Sequence, residues 1–191
     1  TGWYNCFIMG WERVMEQRKD KEKILSAGTL LFVACWAAYC ASYLGRINYT
    51  AALTAIVADG VFSKSHAGFI GTVYFFCYGA GQIFSGILGD RVSPYKMIGA
   101  GLAGTVCANI IMPLCSSSYI TMSIIWGLNG IVQSMLWTPV LYIIATVLPE
   151  EQRSRACLHI ASSFPIGSLL SYVRSAAAIR FASWQFGFYI P

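Results

Sequence analysis

Arg46 is the residue that fits its surroundings least. From Leu25 to Ala58 the chain runs 34 residues with no other full charge, enough at about 1.5 Å per residue to cross a bilayer's hydrocarbon core with tilt to spare. A guanidinium at such depth costs about 2.5 to 3.5 kcal/mol on insertion scales. It stands 21 residues from one end of the stretch and 12 from the other, too deep to reach the farther flank by extending its stem. Tyr39, Tyr43, Arg46 and Thr50 follow at spacings of four, three and four, so they share one helical face, with Ser42 and Tyr49 at its edges. A fixed positive charge among phenol donors suits an anion, because guanidinium grips carboxylate or phosphate through two parallel hydrogen bonds. The competing reading is an arginine that extends outward or pairs within the protein.

Two further stripes have the same period. Tyr74, Tyr78, Gln82 and Ser85 recur at four, four and three, and Asn129, Gln133 and Trp137 at four and four. Neither stripe suits lipid, so each either lines a polar hollow or hydrogen-bonds across a helix interface, and both readings stay open for the second. Gly71, Gly79, Gly81 and Gly86 near the first point to close helix packing more than to a ligand. The candidate binding set is therefore Arg46, Tyr39, Tyr43, Tyr78, Gln82, Asn129 and Gln133. No catalytic set is expected.

The elements that must position these residues follow from composition. Of 191 residues, 57% are hydrophobic and 11% charged, against roughly 45–50% and about 25% in soluble domains. That excludes a soluble enzyme and implies an all-α protein of several membrane spans. Spans are expected at about 25–58, 67–89, 97–115, 119–148 and 156–178, with a sixth beginning near 184. Pro139 and Pro165 predict kinks or interruptions in the fourth and fifth. Residues 1–24 read as a tail: Trp3, Phe7 and Trp11 at i, i+4 spacing fit an interfacial helix, and an unstructured tail fits equally. The first residue is Thr1, which reads as a fragment boundary, and no cleavable signal is expected.

Seven cysteines fall mostly within apolar stretches and read as small packing residues rather than bridges or ligands. The two histidines, His66 and His159, stand far apart in sequence, and no CxxC or His/Cys ligand spacing occurs, so neither metal nor cofactor is expected. The net charge is +5, but four acids, Glu12, Glu16, Asp20 and Glu22, accompany the five bases between Arg13 and Lys23, which favours a membrane flank over nucleic acid. Nine bases fall on the side of the tail and three, Lys64, Arg174 and Arg180, on the other. The positive-inside bias then places the tail in the cytoplasm.

Several segments together resemble the major facilitator superfamily, and within it the organophosphate:phosphate antiporter group. They are Tyr43-Leu44-Gly45-Arg46-Ile47-Asn48-Tyr49; Gly86-Ile87-Leu88-Gly89-Asp90-Arg91-Val92-Ser93-Pro94; Gly101, Leu102 and Asn109; Asn129, Gly130, Gln133, Trp137 and Pro139; and Glu151-Gln152-Arg153. The resemblance implies two six-helix bundles around a midplane site, with alternating access by rocking, of which this chain would hold the first, ending within its sixth helix. Arg46 would be the phosphate-binding arginine, completed by a partner arginine in the C-terminal bundle. Asp90 and Arg91 would belong to a cytoplasmic gating loop.

Three departures weigh against a dianionic phosphate. Gln82 stands where some members of the group have lysine, Phe164 falls near a histidine position, and Ile47 replaces a basic neighbour of the arginine. The expected function is secondary transport of an organic anion, such as a sugar phosphate exchanged for inorganic phosphate. The alternatives are a proton-coupled carrier of another solute and a non-transporting sensor on the same fold. A proton relay has little to use, since Asp59, Asp90, Glu150 and Glu151 all lie at span ends. The implied partners are a small anionic molecule, the lipid bilayer and the second bundle.

Overall fold

The computed structural model describes the backbone of residues 2–189 and the side chains of residues 25–189. The interfacial reading of Trp3, Phe7 and Trp11 concerns side chains outside the described residues. Helices account for nearly all of the rest: α1 (Gly2–Ala58), α2 (Lys64–Gly89), α3 (Pro94–Ile111), α4 (Tyr119–Thr146), α5 (Glu150–Ile160), α6 (Ser163–Phe181) and α7 (Phe186–Tyr189). Five stretches are long and apolar enough to cross a membrane: Leu25–Ala58, Lys64–Gly89, Pro94–Cys115, Tyr119–Thr146 and Glu150–Phe181. Phe76, Phe84 and Phe181 present most of their surface outward, as side chains do when the solvent is acyl chain.

Local chemistry sets the ends. Past Ala58 the chain turns at Gly60, whose φ of 69° needs a residue without Cβ. Gly60 N–H donates to the Val57 carbonyl at 3.1 Å and Val61 N–H to that of Ile56 at 3.2 Å, the paired closure that satisfies a helix's last carbonyls. Ser63 then caps α2, its Oγ accepting from His66 N–H at 3.3 Å. A 3₁₀ turn over Met112–Cys115 finishes the third span, where Pro113 offers no N–H to continue the α-helix.

The two prolines expected to disturb spans behave differently. α4 runs unbroken through Pro139. The fifth span breaks at Ala161–Ser162 between α5 and α6, with Pro165 at the third position of α6. A proline ring crowds the carbonyl four residues earlier, here Ala161, so the break precedes the proline and leaves it in a first turn.

α4 is the pillar, packed closely against α2 and α3, while α6 lies along α1. Gly130 lets α4 meet α2: a Cβ there would fall 2.5 Å from the Tyr74 carbonyl oxygen. One apolar core gathers Tyr49, Ile56, Tyr74, Met112, Met122, Trp126, Trp184 and Phe188. A second joins Cys35, Val140, Ile143, Ile144, Leu148, Ala156 and Ile160 at the other end. Between them buried amides tie the helices. Asn109 Nδ2 donates to the Gly45 carbonyl at 3.0 Å and to its own helix at Thr105 O, 2.8 Å. Asn48 Nδ2 donates to Asn109 Oδ1 at 2.6 Å and to the Gly187 carbonyl at 3.2 Å.

Candidate functional site

Arg46 projects from α1, 12 residues before that helix ends, toward α2 and is partly buried. Its Cζ lies 4.6 Å from the ring centroid of Tyr78, 5.5 Å from those of Tyr74 and Phe75, and 5.6 Å from that of Tyr43. Four aromatic faces thus take the place of a counter-ion; among the described residues no carboxylate pairs with it. Among the described residues, none of its nitrogens is sealed and unpaired. A recess of about 20 Å³ adjoins it, walled by Tyr49, Thr50, Gly71, Tyr74 and Trp126, room for about one water.

The structure divides the expected set into two groups. Tyr39, Tyr43 and Tyr78 stay with Arg46. The Tyr43 hydroxyl donates to that of Tyr39 at 3.4 Å, their rings meet edge to face, and Tyr39 leans on Trp137 with centroids 5.0 Å apart. Tyr78 stacks on Tyr74 at 6.2 Å. Gln82, one turn further along α2, is partly buried. Asn129 and Gln133 instead serve the helix interface. Asn129 is fully buried and its Nδ2 donates to the Gly45 carbonyl at 3.0 Å. Gln133 Nε2 donates to the Ser42 carbonyl at 3.1 Å while its Oε1 accepts from the Tyr74 hydroxyl at 3.0 Å. This bonding joins α4 to α1 and α2. It also makes a chain from α4 to the cage, since Gln133 fixes Tyr74 and Tyr74 lies against Arg46.

Asp90 and Arg91 follow α2 on an exposed turn, Arg91 N–H donating to the Leu88 carbonyl at 3.0 Å. They border different cavities. Asp90 borders a cavity of about 70 Å³ with Pro94, Met97, Pro139 and Tyr142, while Arg91 edges a groove of about 340 Å³ between α2 and α4.

Sequence reasoning missed Phe75 in the cage: an apolar residue beside Tyr74 gives no polar signal, and only its i+3 spacing to Tyr78 hinted at a shared surface. Arg174 needs a correction. Counted above with the outer bases, it donates through Nη2 to the Leu44 carbonyl at 3.4 Å, in the middle of the first span. The bases on that side fall from three to two. Phe164, at the position compared with a histidine, packs on Tyr43 with centroids 5.3 Å apart.

Comparison with known proteins follows the same outline. Residues 35–191 match the family model described as Major Facilitator Superfamily. The chain is 27% identical over 180 residues to a probable hexose phosphate transport protein of Chlamydia pneumoniae, covering 94% of this chain and 39% of that protein. It is 29% identical over 163 residues to the membrane sensor protein UhpC of Escherichia coli, covering 84% and 36%. It is 27% identical over 184 residues to a glycerol-3-phosphate transporter of Bacillus subtilis, covering 92% and 41%. The chain therefore spans about two fifths of the length of these relatives, all from the organophosphate group that the motifs resembled. An all-helical bundle with five membrane-crossing stretches, matched to one family model over most of its length, places this chain in the major facilitator superfamily.

Proposed function

We propose that the protein carrying this chain is a secondary transporter of a phosphorylated organic anion, a sugar phosphate or similar ester exchanged for inorganic phosphate, working by alternating access with its N-terminus in the cytoplasm. The observation that carries this reading is the Arg46 guanidinium, held between four aromatic rings in mid-span and free of any carboxylate among the described residues. A cation kept charged and directional in this way is built to receive an anion. Tyr39, Tyr43 and Tyr78 orient the ligand's oxygens, and Gln82 lies on the same stripe of α2. Asp90 and Arg91 act at the cytoplasmic gate, making contacts in one access state that are released in the other. The relatives named for hexose phosphate and glycerol-3-phosphate transport support the choice of substrate class.

The test is phosphate exchange by the full-length protein in proteoliposomes. Uptake of labelled phosphate that requires phosphate or a phosphate ester on the opposite side supports the proposal; uptake that needs only a proton gradient refutes it. The likeness to a protein named as a membrane sensor favours one second reading: ligand is bound and no flux occurs. Saturable binding without exchange in the same vesicles would establish that reading instead.

A further inference from the structure

Arg174 is, besides Arg46, the guanidinium set in from the ends of the membrane-crossing stretches, and it is incompletely satisfied. It lies on α6, seven residues before the helix ends at Phe181, and is partly buried. Its hydrogen bond among the described residues is the 3.4 Å contact from Nη2 to the Leu44 carbonyl, an oxygen already committed to α1. Its Nε is sealed from solvent with no partner. A buried guanidinium with an unused N–H carries a desolvation cost that a single long hydrogen bond does not repay.

Its position relates it to Arg46. Leu44 is two residues from Arg46, about 3 Å along the axis of α1, so both arginines act at nearly one depth. They do so from different neighbours, Arg46 beside α2 and Arg174 on α6. The two flanks are linked by Tyr43, whose ring lies 5.6 Å from Arg46 Cζ and 5.3 Å from the ring of Phe164 on α6. α7 meets α6 at Ser175 and Ile179, both 3.9 Å from the Cβ position of Gly187. Arg174 is about 100° and 140° around the helix from those two residues, on the flank away from α7. Its contact on α1, Leu44, adjoins Tyr43, on the face that also carries Ile47 and the exposed Thr50.

We infer that Arg174 is a second anion-binding cation on the opposite edge of this face, and that with Arg46 it selects the dianionic form of a phosphate monoester. The inference rests on the transport reading above and deepens it. It also revises the expectation drawn from Ile47, Gln82 and Phe164: the charge missing from those positions is supplied from α6.

Two probes at one pH separate the charge states: methyl phosphate, dianionic at pH 8, and dimethyl phosphate, which holds one charge. Each is measured as a competitor of phosphate binding to the full-length protein in lipid. The wild type is expected to favour the monoester. Arg174→Gln is expected to weaken methyl phosphate by about tenfold or more, the scale of a lost charge-assisted pair, and to change dimethyl phosphate less than about threefold. Arg174→Lys restores the preference in part, which keeps the test intact should the glutamine variant not fold. An unchanged preference in a folded Arg174→Gln protein overturns the inference and leaves the transport reading standing. So does a wild type that binds both probes alike. A wild type that binds neither overturns the transport reading and this inference together.

Discussion

Around the Arg46 guanidinium, the faces of Tyr43, Tyr74, Phe75 and Tyr78 do part of a carboxylate's work without cancelling the charge. Each such contact contributes roughly 0.5 to 1 kcal/mol, and about 2 when desolvated, so four together offset much of an insertion cost of about 2.5 to 3.5 kcal/mol. An acidic partner would be stronger but would compete with any anionic ligand. Arg46→Ala is accordingly expected to abolish phosphate binding while the protein still reaches the membrane and purifies as a single species, with labelled phosphate binding as the check. Tyr74→Phe should behave in the opposite way. It keeps the ring beside Arg46 but leaves the buried Gln133 Oε1 without its donor, a loss of about 1 to 3 kcal/mol, so thermal unfolding in detergent drops while phosphate affinity changes little. The i, i+3 and i+4 spacing made Tyr39, Tyr43 and Arg46 legible as one face in the sequence. What it could not give were the acceptors of Asn129 and Gln133, because these are backbone carbonyls of Gly45 and Ser42, and a carbonyl has no signature in a residue string.

At the scale of helices, apolar run length fixed how many elements could cross a membrane, while packing decided how they touch. Pro139 and Pro165 look alike in the sequence, yet only the fifth span breaks. Pro165 sits four residues past Ala161, where a turn of chain can leave the helix; around Pro139 the buried neighbours Leu136, Val140 and Ile143 hold α4 together. Glycines divide in the same way. Gly130 is required by the Tyr74 carbonyl 2.5 Å from its would-be Cβ, whereas a Cβ at Gly79 meets nothing within 4 Å. Gly130→Val is therefore expected to force α2 from α4 and to destabilise by about 1 to 3 kcal/mol, read as a fall in the detergent unfolding midpoint. Gly79→Ala, on the facing helix α2, should leave that midpoint unchanged or raise it slightly, since alanine favours helix by about 1 kcal/mol. Equal losses from both would show that the α2–α4 contact is looser than this geometry requires.

Over the whole molecule, the proposed gate would couple charge to access through the loop that follows α2. With Arg174 removed from the outer count, nine bases stand on the side of the tail and two, Lys64 and Arg180, on the other, a stronger bias for a cytoplasmic N-terminus. In a background freed of native cysteines, Lys96→Cys should react with a membrane-impermeant maleimide only from inside and Lys64→Cys only from outside. In the proposed orientation Asp90 and Arg91 lie at the inner end, each bordering a different cavity, and both are proposed to meet partners that change as the two halves rock. If they serve the gate, Asp90→Asn acts on the equilibrium between access states and not on the anion site, since the Arg46 cage lies deep in the span. Phosphate affinity at equilibrium should then stay within about threefold of wild type, given that one rim charge shifts binding little, while exchange flux falls by about tenfold or more, as a shift between two states of roughly 1.4 kcal/mol requires. A parallel loss of affinity and flux would move Asp90 out of the gate and into the ligand's own electrostatic field.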